Sequence, residues 1–214
     1  MMALILFDYD GVLADTLDDL LKFSQEICNE LGVQHHVVRE DISTLEAMSF
    51  ANLGRRVEVP EPLVEEFVRR SLEKVANKKT PPHIFPGLAQ VIRELSTRHI
   101  LGIVTTNSSQ NVNAFLKEHA LADCFRAIYG VDQTGTKAEK ISHARDQFTA
   151  AGEAVFMIGD AASDIHAARD ASAKSIGVSW GHQSVEVLIR AKADYIVNSP
   201  RGLLDIFTQE GIFD

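Results

Sequence analysis

The chain has 214 residues, 45% of them hydrophobic and 24% charged, with a formal net charge of −9. That length suits one domain with an insertion, or two small domains, with a sizeable core. The acidic balance speaks against nonspecific nucleic-acid binding and against anionic membrane surfaces, although a bound cation and a few local Lys or Arg can reverse the field at one small site.

The opening MMALILFDYD has no basic leader and no long apolar run, so it does not read as a signal peptide. No stretch reaches the roughly 18 apolar residues of a membrane span. Cys28 and Cys124 make no disulfide framework and read as reduced core residues. The expected compartment is the cytoplasm.

Residues 3–7, ALILF, are a continuous apolar run ending at Asp8, the pattern of a strand buried on both faces. Thr16 then opens a helix, with Asp18 and Asp19 in its first turn, where the dipole favours acids. Leu17, Leu20, Leu21, Ile27 and Leu31 follow at helical spacing, and Gly32 fits the stop. From 33 to about 82 the pattern is helical, with Pro62 at a first helical position and a stripe of Leu63, Phe67, Val68, Leu72 and Val75. Asn77 to Gly87, NKKTPPHIFPG, breaks the pattern and reads as a linker.

After the linker the rhythm becomes strand then helix. ILGIV (100–104), AIYGV (127–131), AVFMI (154–158), SIGV (175–178) and YIV (195–197) each precede a helical segment. This alternation predicts an α/β fold: a doubly wound, Rossmann-like parallel sheet core with an inserted α-helical unit directly after the first strand. The core takes residues 1–15 and 83–214, and the helical insertion takes 16–82. Ligands of such sheets bind at the carboxyl ends of the strands.

Four clusters fall at those ends. In Asp8-Tyr9-Asp10-Gly11, residues 8 and 10 share a side, and two close carboxylates are costly without a cation between them. Thr105-Thr106-Asn107 offers hydroxyls and amides to phosphate oxygens, or simply caps the next helix. Lys137 can neutralise a phosphate as a point charge, with Lys140 as its competitor nearby. Gly159-Asp160-Ala161-Ala162-Ser163-Asp164 has an acid at a strand end and another one turn on; Asp160 or Ser163 could cap the helix, which leaves the second acid over. Oxygen-only donors suit magnesium, and no Cys/His spacing suggests zinc. There is no GxxxxGK[ST], and no GxGxxG after the first strand.

DYDGVLADT (8–16), IVTTN (103–107), Lys137 and GDAASD (159–164) together resemble the four motifs of the haloacid dehalogenase-like hydrolase superfamily, in order and over nearly the whole chain. The insertion resembles the small helical cap of phosphoglycolate phosphatases and their relatives. Val12 stands where most relatives have threonine. Because Asp10 is present, the resemblance implies a phosphatase or phosphomutase branch, acting on a small phosphorylated metabolite with Mg2+ as cofactor. It implies Asp8 as nucleophile and metal ligand. Asp10 becomes general acid and then base, with its backbone carbonyl on the metal. Thr105, Lys137 and the backbone near Asn107 hold the phosphoryl group, with Thr106 and Asn107 as substrate-binding residues; Asp160 ligates the metal, and Asp164 does so through water or orients Lys137.

Three further features have two readings each. Arg55 and Arg56 either meet a second anionic group of the substrate or are solvated. Trp180, in Trp180-Gly181-His182, either packs on the lip of the site or is an ordinary loop tryptophan. His35-His36 reads as a surface turn. The competing functions are a phosphomutase resembling β-phosphoglucomutase, a phospho-accepting receiver-type module and a silent binding protein. Nothing in the sequence separates a monomer from a homodimer.

Overall fold

The computed structural model describes residues 2–78, 80–149 and 153–208. Lys79, in the linker stretch, lies outside the described residues. The chain begins with β1 (Leu4–Phe7), whose four side chains are all buried. A tight turn leads to the two-residue β2 (Ala14–Asp15). Four helices follow: α1 (Leu17–Glu30), α2 (Arg39–Ser43), α3 (Phe50–Arg56) and α4 (Val64–Ala76). The chain returns through β3 (His83–Ile84), which pairs antiparallel with β2 through Ala14↔Ile84 and Asp15↔His83. The linker stretch therefore contains a strand, and the two crossings between sheet and helices run side by side.

The remainder alternates: α5 (Leu88–Ser96), β4 (Ile100–Val104), α6 (Ser109–Glu118), β5 (Phe125–Tyr129), α7 (Lys137–Phe148), β6 (Val155–Gly159), α8 (Ala162–Asp170), β7 (Lys174–Val178), α9 (Val185–Arg190), β8 (Tyr195–Val197) and α10 (Pro200–Phe207). Six strands form one sheet in the order β5-β4-β1-β6-β7-β8, every pairing parallel. The expected α/β architecture holds. Phe7 is in register with Ile103 on one side and Ile158 on the other. The chain therefore reverses direction across the sheet around β1, which opens a crevice at the carboxyl ends of β1, β4 and β6.

The alternation of side chains along β1 divides the core. Ile5 and Phe7 join Leu88, Ile92, Phe115 and Leu203 on one face; Leu4 and Leu6 join Ile141, Ala144 and Ala168 on the other. The helices from α1 to α4 pack around a third cluster of their own, with Ile27, Ile42, Leu53, Val64 and Phe67 at its centre.

Some expectations shift. β5 starts two residues before AIYGV, and Val131 is 61% exposed after Gly130. In α4 the buried stripe runs through Val64, Phe67 and Ser71, while Leu72 is 54% exposed. The difference is one of phase: Val64 and Ser71 share the face of Phe67 at three- and four-residue spacing, and Leu72 lies one residue around the helix. Thr16 precedes α1 without capping it; its hydroxyl instead lies 3.1 Å from His182 Nε2. Cys28 is buried, and Cys124 is only partly buried against the sheet cluster.

Candidate active site

Asp8 follows β1 directly, and its backbone N–H donates to Ile158 O at 2.8 Å. The next residues turn back at once: Leu13 N and Ala14 N both donate to Tyr9 O at 2.9 Å. Gly11 makes this possible in two ways. Its φ is +76°, and a Cβ there would lie 2.0 Å from Asp160 Oδ2. The turn is therefore pressed directly against the end of β6.

Asp8 Oδ1 accepts from Tyr9 N at 2.7 Å, and Asp8 Oδ2 accepts from Lys137 Nζ at 2.9 Å. Lys137, the first residue of α7, also donates to Asp164 Oδ1 at 2.5 Å. Burial works against the ammonium, but the Asp164 and Asp8 carboxylates beside it hold it firmly charged. Lys140, the competitor, is buried elsewhere and donates to Gly130 O at 2.7 Å.

Asp160 and Asp164 are both buried. Neither the Asp160 nor the Ser163 side chain caps α8. The N-cap is Ala161, whose N–H is taken by Asp164 Oδ2 at 3.1 Å, and Asp160 Oδ2 accepts from His182 N at 2.7 Å. Burial, then the Asp8 charge, pushes the Asp160 carboxyl up to about 7. Burial likewise pushes Asp164 up to about 7, against the pull of Lys137.

Asp8, Asp160 and Asp164 each bring a ligand oxygen within 4.8 Å of the others. The Asp10 carboxylate stands outside that group. Asn107 Nδ2 donates to its Oδ2 at 3.0 Å, and its pKa is raised by burial, with the Asn107 bond opposing and the Asp8 charge adding. Four carboxylates thus share a crevice with one ammonium. A divalent cation bound by oxygen fits that donor set, because it offsets the burial and the Asp8 charge that together raise the carboxyls of Asp10, Asp160 and Asp164.

The remaining expected residues are dispersed around this centre. Thr105 is buried at the end of β4, and its Oγ1 accepts from Asn107 N at 3.0 Å. Thr106 is exposed beside it. The cap of α6 is Ser108, which accepts from Asn111 N, so Thr105 and Thr106 are not needed for capping. Trp180 donates from Nε1 to Val12 O at 3.2 Å and packs against Phe85, which sets it over the turn after β1. Arg55 is on α3, held by Glu61 through Nη2 at 2.7 Å with half its side chain exposed. Among the described residues, no hydrogen bond or ion pair ties it to the acidic cluster.

His182 and Gln183, both buried in the loop after β7, join the site although no motif in the sequence marks them. Their position beyond the SIGV strand, at the same sheet edge, was the available signal. Arg39 was also missed; its Nη2 donates to Gly181 O at 3.0 Å.

A family model for haloacid dehalogenase-like hydrolases matches residues 5–178. The chain belongs to the haloacid dehalogenase-like hydrolase family. It is an enzyme of the phosphatase side of that family, where its curated relatives lie. A phosphoglycolate phosphatase of Synechococcus elongatus is 28% identical over 97% of this chain and 98% of its own. One from Caulobacter vibrioides is 30% identical over 96% and 92%. Pyrophosphatase PpaX of Listeria innocua is 28% identical over 96% of each. Among solved structures, a haloacid dehalogenase-like hydrolase from Streptococcus pneumoniae superposes with a TM-score of 0.81 at 23% identity, covering 97% of this chain and 99% of that one. That likeness bears on the fold. Among the described residues, no helix is long and apolar enough to cross a membrane.

Proposed function

We propose that this protein is a magnesium-dependent phosphatase that hydrolyses a small-molecule phosphate monoester through an aspartyl-phosphate on Asp8. One observation carries the reading: Lys137 joins Asp8 to Asp164 while oxygens of Asp8, Asp160 and Asp164 gather within 4.8 Å. Mg2+ held by those three carboxylates, with the Asp10 carbonyl as a further ligand, would offset charge on the phosphoryl oxygens.

A carboxylate oxygen of Asp8 attacks phosphorus, and the bond from phosphorus to the ester oxygen breaks. Asp10, whose carboxyl burial shifts toward the protonated form, gives a proton to the departing alkoxide. The same carboxylate then takes a proton from water as that water attacks the phosphorus on Asp8. The bond to Asp8 breaks, phosphate leaves, and both aspartates regain their starting forms. Lys137 and Thr105 hold the phosphoryl oxygens, with Thr106 and Asn107 beside them, and Asn107 aims the Asp10 carboxylate. The helices of residues 16–82 act as a cap that selects the ester, with Trp180 on the lip and Arg55 available to a second anionic group after release from Glu61.

The similarity to pyrophosphatase PpaX favours a second substrate class, a phosphoanhydride, for the same chemistry. We place the enzyme in the cytoplasm, acting on a soluble metabolite and on neither nucleic acid nor membrane. The test is phosphate release with Mg2+ over a panel holding 2-phosphoglycolate, pyrophosphate and a sugar 1-phosphate. Release from at least one compound, abolished by chelator, is expected. Full activity in excess chelator overturns the magnesium step, and conversion of the sugar phosphate without phosphate release points to a phosphomutase.

A further inference from the structure

The loop after β7 meets the helical unit at four points. Arg39 Nη2 donates to Gly181 O at 3.0 Å, and Ser184 N donates to Ser43 O at 2.9 Å. Thr16 Oγ1 and His182 Nε2 lie 3.1 Å apart, and Gln183 Nε2 donates to Leu45 O. Gln183 is 1% exposed, and the other end of its amide is also in use: Oε1 accepts from Ala162 N at 2.6 Å.

That second bond falls at a sensitive place. Ala162 is the first residue of α8, two residues from Asp160 and two from Asp164. The first N–H groups of a helix have no partner within it, and the N-cap here, Ala161, has no side chain able to supply one. Ala162 is 5% exposed, so water does not readily replace the bond. A buried polar side chain with both ends satisfied is rigid, and removing it leaves a buried N–H unpaired.

We propose that Gln183 is a positioning residue: through Ala162 it fixes the turn that carries Asp160 and Asp164, and through Leu45 it ties that turn to the docked helical unit. The inference rests on the magnesium reading of the acidic cluster. Its consequence is reciprocal: undocking of the 39–45 segment loosens the metal site, and metal binding strengthens docking.

Two variants separate the two bonds. Gln183→Met keeps length and volume and removes both. Gln183→Glu keeps an acceptor for Ala162 N, at a helix N-terminus that favours negative charge, and removes the donor to Leu45. Calorimetric Mg2+ binding and amide hydrogen exchange are measured on each full-length protein. Gln183→Met is expected to weaken Mg2+ binding about tenfold, the usual scale for groups that orient metal ligands. It should also speed exchange in both 43–46 and 161–165. Gln183→Glu should speed exchange in 43–46 alone and keep most of the affinity. Val197→Ala, in β8, serves as a remote destabilising control that lowers the melting temperature without moving the Mg2+ Kd. A Gln183→Met protein with wild-type Mg2+ affinity, or with wild-type exchange at 161–165, overturns the proposal. Wild-type protein that binds no Mg2+ overturns the magnesium reading itself, and the exchange result alone then supports or overturns the tie.

Discussion

Lys137 Nζ donates to Asp8 Oδ2 at 2.9 Å across 129 residues of sequence. The same ammonium reaches Asp164, so one cation holds the ends of β1, α7 and α8 together. Lys137→Met is expected to lower phosphate release by about 10²-fold or more, as for loss of one preorganised charge at a transition state. Stability should fall by about 3–5 kcal/mol, the scale for breaking a buried pair. The Asp164 carboxyl stands at about 7 in the folded chain against an ordinary 3.8. A carboxyl raised on folding contributes stability that is lost as pH rises through its folded value. Without Lys137 that value rises further, so the variant should keep losing stability above pH 7. Urea denaturation in chelator at pH 6, 7 and 8 checks this.

Asp8→Asn keeps the size of the side chain and removes the negative charge that the proposed attack on phosphorus requires. Phosphate release should drop by about 10³-fold or more on every substrate of the wild type, with the fold intact by circular dichroism. Wild-type turnover in this variant would remove Asp8 from the chemistry.

Gly11→Ala tests the close approach of the turn to β6. The added Cβ would lie 2.0 Å from Asp160 Oδ2, on a backbone with φ of +76°. The left-handed backbone alone costs about 1–2 kcal/mol for a residue with a Cβ. Displacement of Asp160 should weaken Mg2+ binding by about tenfold or more. Thermal melts with and without Mg2+ read both effects, and a variant with wild-type metal response contradicts the geometry.

Phe67 is fully buried at the centre of the cluster formed by the helices between β2 and β3. Phe67→Ala should destabilise by about 3–5 kcal/mol. Because that cluster is separate from those on the sheet, the loss should appear as early melting of the helical unit, ahead of the sheet. Hydrogen exchange by segment distinguishes this from a uniform loss.

His99 Nδ1 accepts from Ala3 N at 3.2 Å, which requires that nitrogen to be unprotonated. Burial, with the Arg98 charge adding, lowers its pKa below the ordinary 6.5. A histidine lowered on folding contributes stability present above its unfolded value and lost as pH falls through its folded one. Wild type should therefore lose stability from about pH 6.5 downward relative to His99→Asn, which keeps an acceptor and does not titrate in this range. Parallel melting curves for the two proteins between pH 7.5 and 5 would contradict the assignment.

Much of the fold could be read from residue order because it rests on local patterns. A strand buried on both faces, as at Leu4 to Phe7, shows as an unbroken apolar run, and its end marks where acids can face solvent or ligand. Asp8, Asp10, Asp160 and Asp164 were legible for that reason: each follows a recognisable strand by a few residues. The family pattern then singled out Lys137 from Lys140, which spacing alone left open. Val64 and Leu72 are both apolar, so apolar spacing does not set the phase of α4; packing buries Val64 and leaves Leu72 exposed. β2 and β3 were invisible, since two-residue strands have no period to detect.

The sequence by itself determined which chemical groups are present and that they stand at strand ends: carboxylates, one lysine and hydroxyls on an alternating α/β chain. Tertiary structure alone decided the partners that cross the fold. It joined Lys137 to both Asp8 and Asp164, sent Asn107 to Asp10, gave Arg55 to Glu61, and brought Gln183 between Ala162 and Leu45. All but the Arg55–Glu61 pair link residues far apart in the chain, and a hydrogen bond depends on a few tenths of an ångström and on direction. No spacing rule along the sequence carries that information.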